Sequence, residues 1–493
     1  MSVRLVYKDI ALGADEDAEV SASVEGEPFS DIRQIPFGVE ASAIATGELN
    51  GWGLIPEYKV FDNQPVAFWS KERSGGDCTF ATPPTITLAF SQQYTVSGLT
   101  VLFAPATMDY CSKMRATFYQ AGAIVHDKTY YPSSPTFVIS DIARAFDKLE
   151  LVFEKTNLPR KRLKIDYIAM GVIREFEGDE LTSASFLHEI NPISDTLPAN
   201  VLDATLHSNE AVDYVFQRKQ PVEAYNGSEL IGAYYIEHGT RTGARDYAIA
   251  CSDILGVWDK EPYPGVVWTK DTDLRKALTH IFGDDIQRFE ISPAFGESTI
   301  RGYIEPGTKR TALQHIAFAI GAIVDTSNSN KVKLYPPYEG ITGAIPATNT
   351  YIGGSVEVGD MVTGISLTSY EITEETPGEN DQYIELYDIR YKCVPQTVVI
   401  NNPDTVASDL PNIIKYEGCY LVNSGNFWDI RDRLISHYMK REKYAFKHVL
   451  DGQMLGDKYT AFLPWGNEIT GRITKMSITV TGLTVSETEM LLD

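Results

Sequence analysis

The stretch PVEAYNGSELIGAYYIEHG, Pro221 to Gly239, decides the class of fold. Two strand-like runs flank Asn226-Gly227, a dipeptide that supplies the positive φ angles of a tight turn, so the segment reads as a β-hairpin. The runs that follow it, RDYAIACSDILGVWD and YPGVVW, continue the same small barrel or sheet. On the N-terminal side, MRATFYQAGAIVHDKTYYP from Met114 reads as another hairpin, turning at Gln120 to Gly122. PPTITLAFSQQYTVSGLTVLFA from Pro83 carries two short apolar runs around a polar connection. FDKLELVFEKTNLPRKRLKIDYIAMG from Phe146 has two alternating runs around a break at Asn157 to Pro159. Short alternating runs separated by turn residues predict an antiparallel sandwich of the jelly-roll type over residues 1–171.

The texture changes at Val172, where the charged connector Arg174 to Glu180 leads to turns at Asn191 to Asp195 and Leu197 to Asn200. Three helices are predicted further on. In DTDLRKALTHIFG, Leu274, Leu278 and Ile281 recur at helical spacing between an Asp/Thr start and a Gly end. GTKRTALQHIAFAIGA places Leu313, Ile316, Ala317 and Ile320 on one face and stops at Gly321. NFWDIRDRLISHYMKREKYAF, Asn426 to Phe446, reads as a single longer helix with Phe427, Ile430, Leu434 and Tyr438 on one stripe. Strand patterns return around these helices, in VEVGDMVTGISLTSYEI and DQYIELYDIRYKCV and through the close of the sequence. No repeat of 20 to 50 residues is evident.

With 493 residues, 43% of them hydrophobic and 22% charged, the chain can build several packed cores. The formal charge of -24 disfavours a sequence-independent grip on nucleic acid. Cys78, Cys111, Cys251, Cys393 and Cys419 are widely spaced and never form C-x-x-C, so neither a disulfide framework nor a zinc ribbon is signalled. Neither a signal peptide nor a membrane span is expected, since no run approaches the roughly 18 apolar residues that a span requires.

The search for chemistry returns no P-loop, no H-E-x-x-H, no G-x-S-x-G and no EF-hand loop. His188-Glu189 lacks a second histidine one helical turn later, which a zinc site would need. His207, His238, His280 and His315 lie on different predicted elements and read as surface or satisfied core residues. The acidic clusters Asp15 to Glu19 and Glu374 to Asp381 read as solvated loops, with a calcium site as the minor alternative. Trp52, Phe68, Trp69 and Tyr94 have the ring chemistry to stack on sugars, although aromatics in a sandwich more often belong to its core. No catalytic, metal or ligand-binding residue is assigned, no cofactor is expected, and the chain is expected not to be an enzyme.

Four segments resemble the hub proteins of contractile phage baseplates and the related N-terminal modules of tail-associated proteins: FLHEINPISDTLPANVLDATL, PVEAYNGSELIGAYYIEHGTRTGARDYAIACSDILGVWD, TALQHIAFAIGAIVDTSNSNKVKLYPP and GNEITGRITKMSITVTGLTVSETEM. The first 171 residues resemble a galactose-binding-like jelly roll through SDIRQIPFGVEASAIATGELNGWGL, FWSKERSGG and FEKTNLPRKRLKIDYIAMG. The resemblance implies a mainly β chain: the sandwich at 1–171, a first tail-tube-like β-barrel at 172–265, a small α/β domain at 266–335, and a second barrel with one long helix at 336–493. It also implies a structural hub in the virion, at the tail tip or baseplate, assembled in the bacterial host cytoplasm. As a homotrimer, the hub would join a hexameric tail tube to a trimeric tip and line the channel. Its implied partners are the tail tube protein, distal tail or baseplate proteins and a tail tip or spike protein. The alternative is an adhesin that binds or cleaves a host-surface glycan.

Overall fold

The computed structural model describes residues 3–23, 30–31, 44–45, 68–96, 98–103, 108–139, 141, 143–209, 216–379, 381–406, 409–481 and 483–493. The chain is mainly β, and it divides into two compact units. One comprises Tyr7–Glu175 with Val212–Gln220, the other Met1–Val6, Phe176–Ala211 and Pro221–Asp493.

The first unit is a sandwich of two antiparallel sheets. A five-stranded sheet runs in the order Glu19–Ala22, Thr85–Val96, Ala143–Thr156, Cys111–Gln120, Ala123–Tyr130. A four-stranded sheet runs Thr136–Ile139, Leu99–Phe103, Arg162–Ala169, Phe68–Arg73. Alternation along the strands sends Leu149, Leu151 and Phe153 inward from one sheet and Leu99, Val101 and Phe103 from the other, into a common core. Phe103 and Phe153 meet edge to face with ring centres 6.3 Å apart. The predicted hairpin at 114–132 is present, with Gln120 paired to Ala123. The segment from Pro83 carries two strands, Thr85–Val96 and Leu99–Phe103, and the polar residues Ser91 to Gln93 lie inside the first of them. Asp17, on the short helix α1 (Ala14–Asp17), accepts from the Ser91 amide at 2.9 Å and secures that exposed stretch.

The second unit is organised by one long antiparallel sheet in the order Pro221–Asn226, Glu229–Arg241, Asp246–Ser252, Val201–His207, Leu181–Glu189, Glu468–Thr481, Leu483–Leu492, Glu442–Val449, Ser355–Val358. Its pivot is Glu468–Thr481. The first part of this strand pairs with Lys458–Phe462, from Glu468 to Arg472, and the second pairs with Leu181–Glu189, from Lys475 to Val480, with a register shift between the two sets at Ile473/Lys475 on its other side. Segments almost three hundred residues apart in sequence are thus fused by a main-chain ladder. The hairpin of the opening quotation is present, but its strands pair through Asn226 and Glu229, which makes Gly227-Ser228 the turn; Gly227 has φ 62°.

Short helices pack beside this sheet. Residues Asp253 to Trp258 were expected to continue the sheet; instead α2 (Ile254–Trp258) forms there because the Asp253 side chain caps the amides of Leu255 and Gly256. The helices α3 (Leu274–Phe282) and α4 (Lys309–Ile320) occupy their predicted positions, capped by Asp273 and Thr308. Leu274, Leu278 and Ile281 of α3 and Leu313 and Ile316 of α4 share a core with Trp258, Phe282 and Phe289.

A separate four-stranded sheet, in the order Tyr383–Leu386, Ile389–Asn401, Gly364–Thr373, Ile413–Tyr416, carries α5 (Phe427–Met439), whose Phe427, Ile430 and Leu434 pack on Ile365 and Leu367. The long helix predicted to Phe446 therefore ends at Met439. Beyond it Tyr444, Phe446 and His448 alternate into the interior from the strand Glu442–Val449, a period of two that a helix cannot satisfy. Among the described residues no helix is long and apolar enough to cross a membrane.

Candidate functional surface

The long sheet of the second unit has two unlike faces, and the difference is written in the alternation of its strands. Phe186, Leu202, Ile249, Met476 and Ile478 are buried on one side. Their sequence neighbours Ser185, Asp203, Ala250, Lys475 and Ser477 point to the other, where they are partly or fully exposed. Small side chains on this outer face leave two shallow troughs. One, of about 310 Å³, lies over Ser183, Ser185, Thr205 and Ala248, and the other, of about 340 Å³, over Ala445, Lys475, Ser477 and Glu487.

Several side chains on the outer face are paired. Lys475 lies 3.6 Å from Glu189, Lys443 lies 3.2 Å from Glu489, and His207 lies 2.7 Å from Asp246. All are solvent-accessible, so they add little to the stability of the fold.

Ser185, Asp203 and His238 occupy one row across the sheet, through the pairings Ser185 with Asp203, Asp203 with Ala250 and Ala250 with His238. The carboxylate stands between serine and imidazole, and three strand spacings, about 14 Å, separate Ser185 from His238. An imidazole at that distance does not take the serine proton. No group of three or more His, Cys, Asp or Glu side chains is placed to hold a metal among the described residues.

The other residues singled out by sequence are dispersed. His188 is buried and bonds the Tyr234 hydroxyl at 2.5 Å, and burial lowers its pKa to about 4, while Glu189 points to the opposite face. His280 stands beside Trp268 at the end of α3, and His315 is packed on α4, where burial lowers its pKa. Of the acidic clusters, Asp15 to Glu19 forms the end of α1 and the start of a strand and not a loop, with Asp17 held by Ser91, while in the second cluster Glu374 accepts from Thr269 and Asp381 pairs with Lys392 at 3.2 Å. Phe68 and Tyr94 are buried in the sandwich, whereas Trp52 and the Trp69 side chain lie outside the described residues. All five cysteines are free thiols.

One buried polar cluster that sequence reading missed fastens the long sheet to the helical layer. The Asp253 carboxylate accepts from the Asn200 amide (2.8 Å), the Thr326 hydroxyl (2.5 Å), and the amides of Leu255 (3.0 Å) and Gly256 (3.2 Å). Asn200 also donates to Thr326 at 2.8 Å and accepts from the Glu189 amide at 2.9 Å. The Ser-Asp that ends a strand and opens a helix was the available signal, since aspartate is a strong helix N-cap.

Desolvation dominates at Asp253 and raises its pKa from 3.8 to about 6 despite the four donors. The folded chain holds that proton to higher pH than the unfolded chain does. The associated stability is therefore complete below pH 4 and is lost as pH rises through about 6, in total on the order of 3 kcal/mol. Asp253→Asn is expected to flatten that part of the stability profile. Denaturant titrations of both proteins at pH 4, 5, 6 and 7 measure the difference, and parallel profiles would show that the group is not titrating in the fold.

No family model matches the chain, and no curated protein matches it. Solved structures do. A tail protein from Neisseria meningitidis MC58 is similar at 10% identity and a TM-score of 0.48, over 64% of this chain and 93% of that one. Prophage tail protein gp18 from Listeria monocytogenes EGD-e is similar at 12% identity and a TM-score of 0.42, over 64% and 91%. A 43 kDa tail protein of prophage MuSo2 from Shewanella oneidensis is similar at 9% identity and a TM-score of 0.46, over 64% and 95%.

Proposed function

We propose that the chain is a structural component of a phage tail or phage-tail-like particle, acting as a hub between the tail tube and the tip. The observation that carries this reading is the long sheet of the second unit. It joins sequence-distant segments through a continuous hydrogen-bonded ladder, and around Ser185, Asp203 and Ser477 its outer face is polar and partly or fully exposed. A ladder of that kind transmits load through the backbone, which suits a part that must hold its shape while something passes or pulls. The four segments that resemble tail hubs in sequence include the end of Leu181–Glu189, from Phe186, and the whole of the pivot strand Glu468–Thr481.

In this reading three copies form a closed ring, their polar sheet faces line a channel, and the role is mechanical with no catalytic step. A chain of formal charge -24 lends such a ring a net negative field, which discourages adhesion of nucleic acid phosphates in transit. Fractionation of purified particles tests it. The chain is expected to stay with tails after capsids are removed, in half the copy number of the subunits in one tube ring, and the isolated protein is expected to release no soluble fragments from peptidoglycan or capsule. Fragment release abolished by a single Asp or Glu substitution would overturn the mechanical reading.

A further inference from the structure

The second unit has a groove of about 510 Å³ that the proposed assembly does not use, between the α3 and α4 layer and the tip of the hairpin Tyr383–Leu386/Ile389–Asn401. Its walls are aromatic and proline-rich: Pro262, Tyr263, Pro264, Tyr387 and Tyr391. Tyr263 is only 5% exposed, and its enclosed hydroxyl has no hydrogen-bond partner. An orphaned buried hydroxyl is uncommon in a folded protein and calls for an occupant. Tyr387 stands next to it, close enough to join burial in raising the Tyr263 phenol pKa.

Tyr387 itself is 67% exposed, at a two-residue turn closed by Leu386 and Ile389. Its φ of 52° and that of Asp388, 62°, are left-handed values that a tyrosine seldom adopts. The turn thus places a large ring at the groove at a conformational cost, its hydroxyl reaching the Pro264 carbonyl at 3.5 Å. Lys309, also at the groove, is neutralised by Glu261 at 2.8 Å, so the site favours an uncharged occupant.

We propose that this groove binds an extended, proline-containing segment of a partner protein in the polyproline II conformation, with Tyr263 donating to one of its backbone carbonyls. Polyproline II segments make no internal hydrogen bonds, so their carbonyls are available to a lone donor, and their rings stack on tyrosine faces. The assignment stands independently of the tail reading.

Calorimetric titration of the full chain with a decaproline peptide tests it. Binding is expected, weakened at least 10-fold by Tyr387→Ala and about 3- to 10-fold by Tyr263→Phe, the loss of one hydrogen bond. Tyr263→Phe should melt no lower than the parent, which separates lost binding from lost folding. Absence of binding at millimolar peptide, or binding untouched by Tyr387→Ala, overturns the proposal. So does self-association that Tyr387→Ala abolishes, which would make a second copy the occupant, or glycan-array binding that decaproline fails to compete.

Discussion

Ser477→Pro is expected to destabilise the second unit by about 3 kcal/mol or more and to exclude the chain from assembled particles. Ser477 sits in the middle of Glu468–Thr481, opposite Leu187 on one side and Glu487 on the other, so its N–H belongs to a ladder whichever neighbour it faces. Proline removes that donor, strands the facing carbonyl, and brings its ring against the adjoining strand, which is why it is confined to sheet edges and bulges. The side chain lies on the polar face, so no core contact changes with it. Ser477→Ala is the control, expected within about 0.5 kcal/mol of the parent. Urea denaturation reads both. A proline variant as stable as the alanine variant would mean that the pivot strand is not paired as described.

Trp258→Ala is expected to cost about 3–5 kcal/mol, a large part of the 5–15 kcal/mol that folded domains command. The indole is fully buried, stacks on Phe289 with ring centres 5.5 Å apart, packs against Phe282 at 4.4 Å, and donates to Asp285 at 3.2 Å. Truncation leaves a cavity at the centre of the helical layer and takes one donor from Asp285, which keeps Arg288 at 2.9 Å. The expected signature is a lower denaturation midpoint with an unchanged slope. Trp258→Phe should recover most of the loss, because it refills much of the cavity and forfeits the hydrogen bond and the packing of the lost ring atoms. A cost below 1 kcal/mol would contradict the packing at this site.

The local elements were largely legible in the sequence, because alternation and capping are local signals. The hairpin at 221–239 announced itself through a turn dipeptide between alternating runs, and α3 and α4 through helical spacing bounded by Asp273, Thr308 and Gly321. Two local misreadings have separate causes. At Asp253 a cap overrode a strand-like run of apolar residues, and after Met439 the period switched from helix to strand without a proline or glycine to mark it.

Beyond the hairpins, partner choice between strands was not legible. Alternation says which face of Leu181–Glu189 is buried, but nothing in it names Lys475 to Val480 as its neighbour, since any alternating strand offers the same backbone groups. The outer polar face followed from the same alternation only once the strand order was known. The Tyr263 groove, assembled from two strands, two helices and a hairpin tip, left no pattern in the sequence.

The most direct test of the central claim is a cryo-electron microscopy reconstruction of intact particles, with this chain located by fitting its second unit. The account predicts threefold density for the chain directly below the last ring of the tail tube, with the face bearing Ser185, Asp203 and Ser477 turned toward the channel. Six copies per particle, a position on outer fibres, or that face buried against a neighbour away from the channel would contradict it.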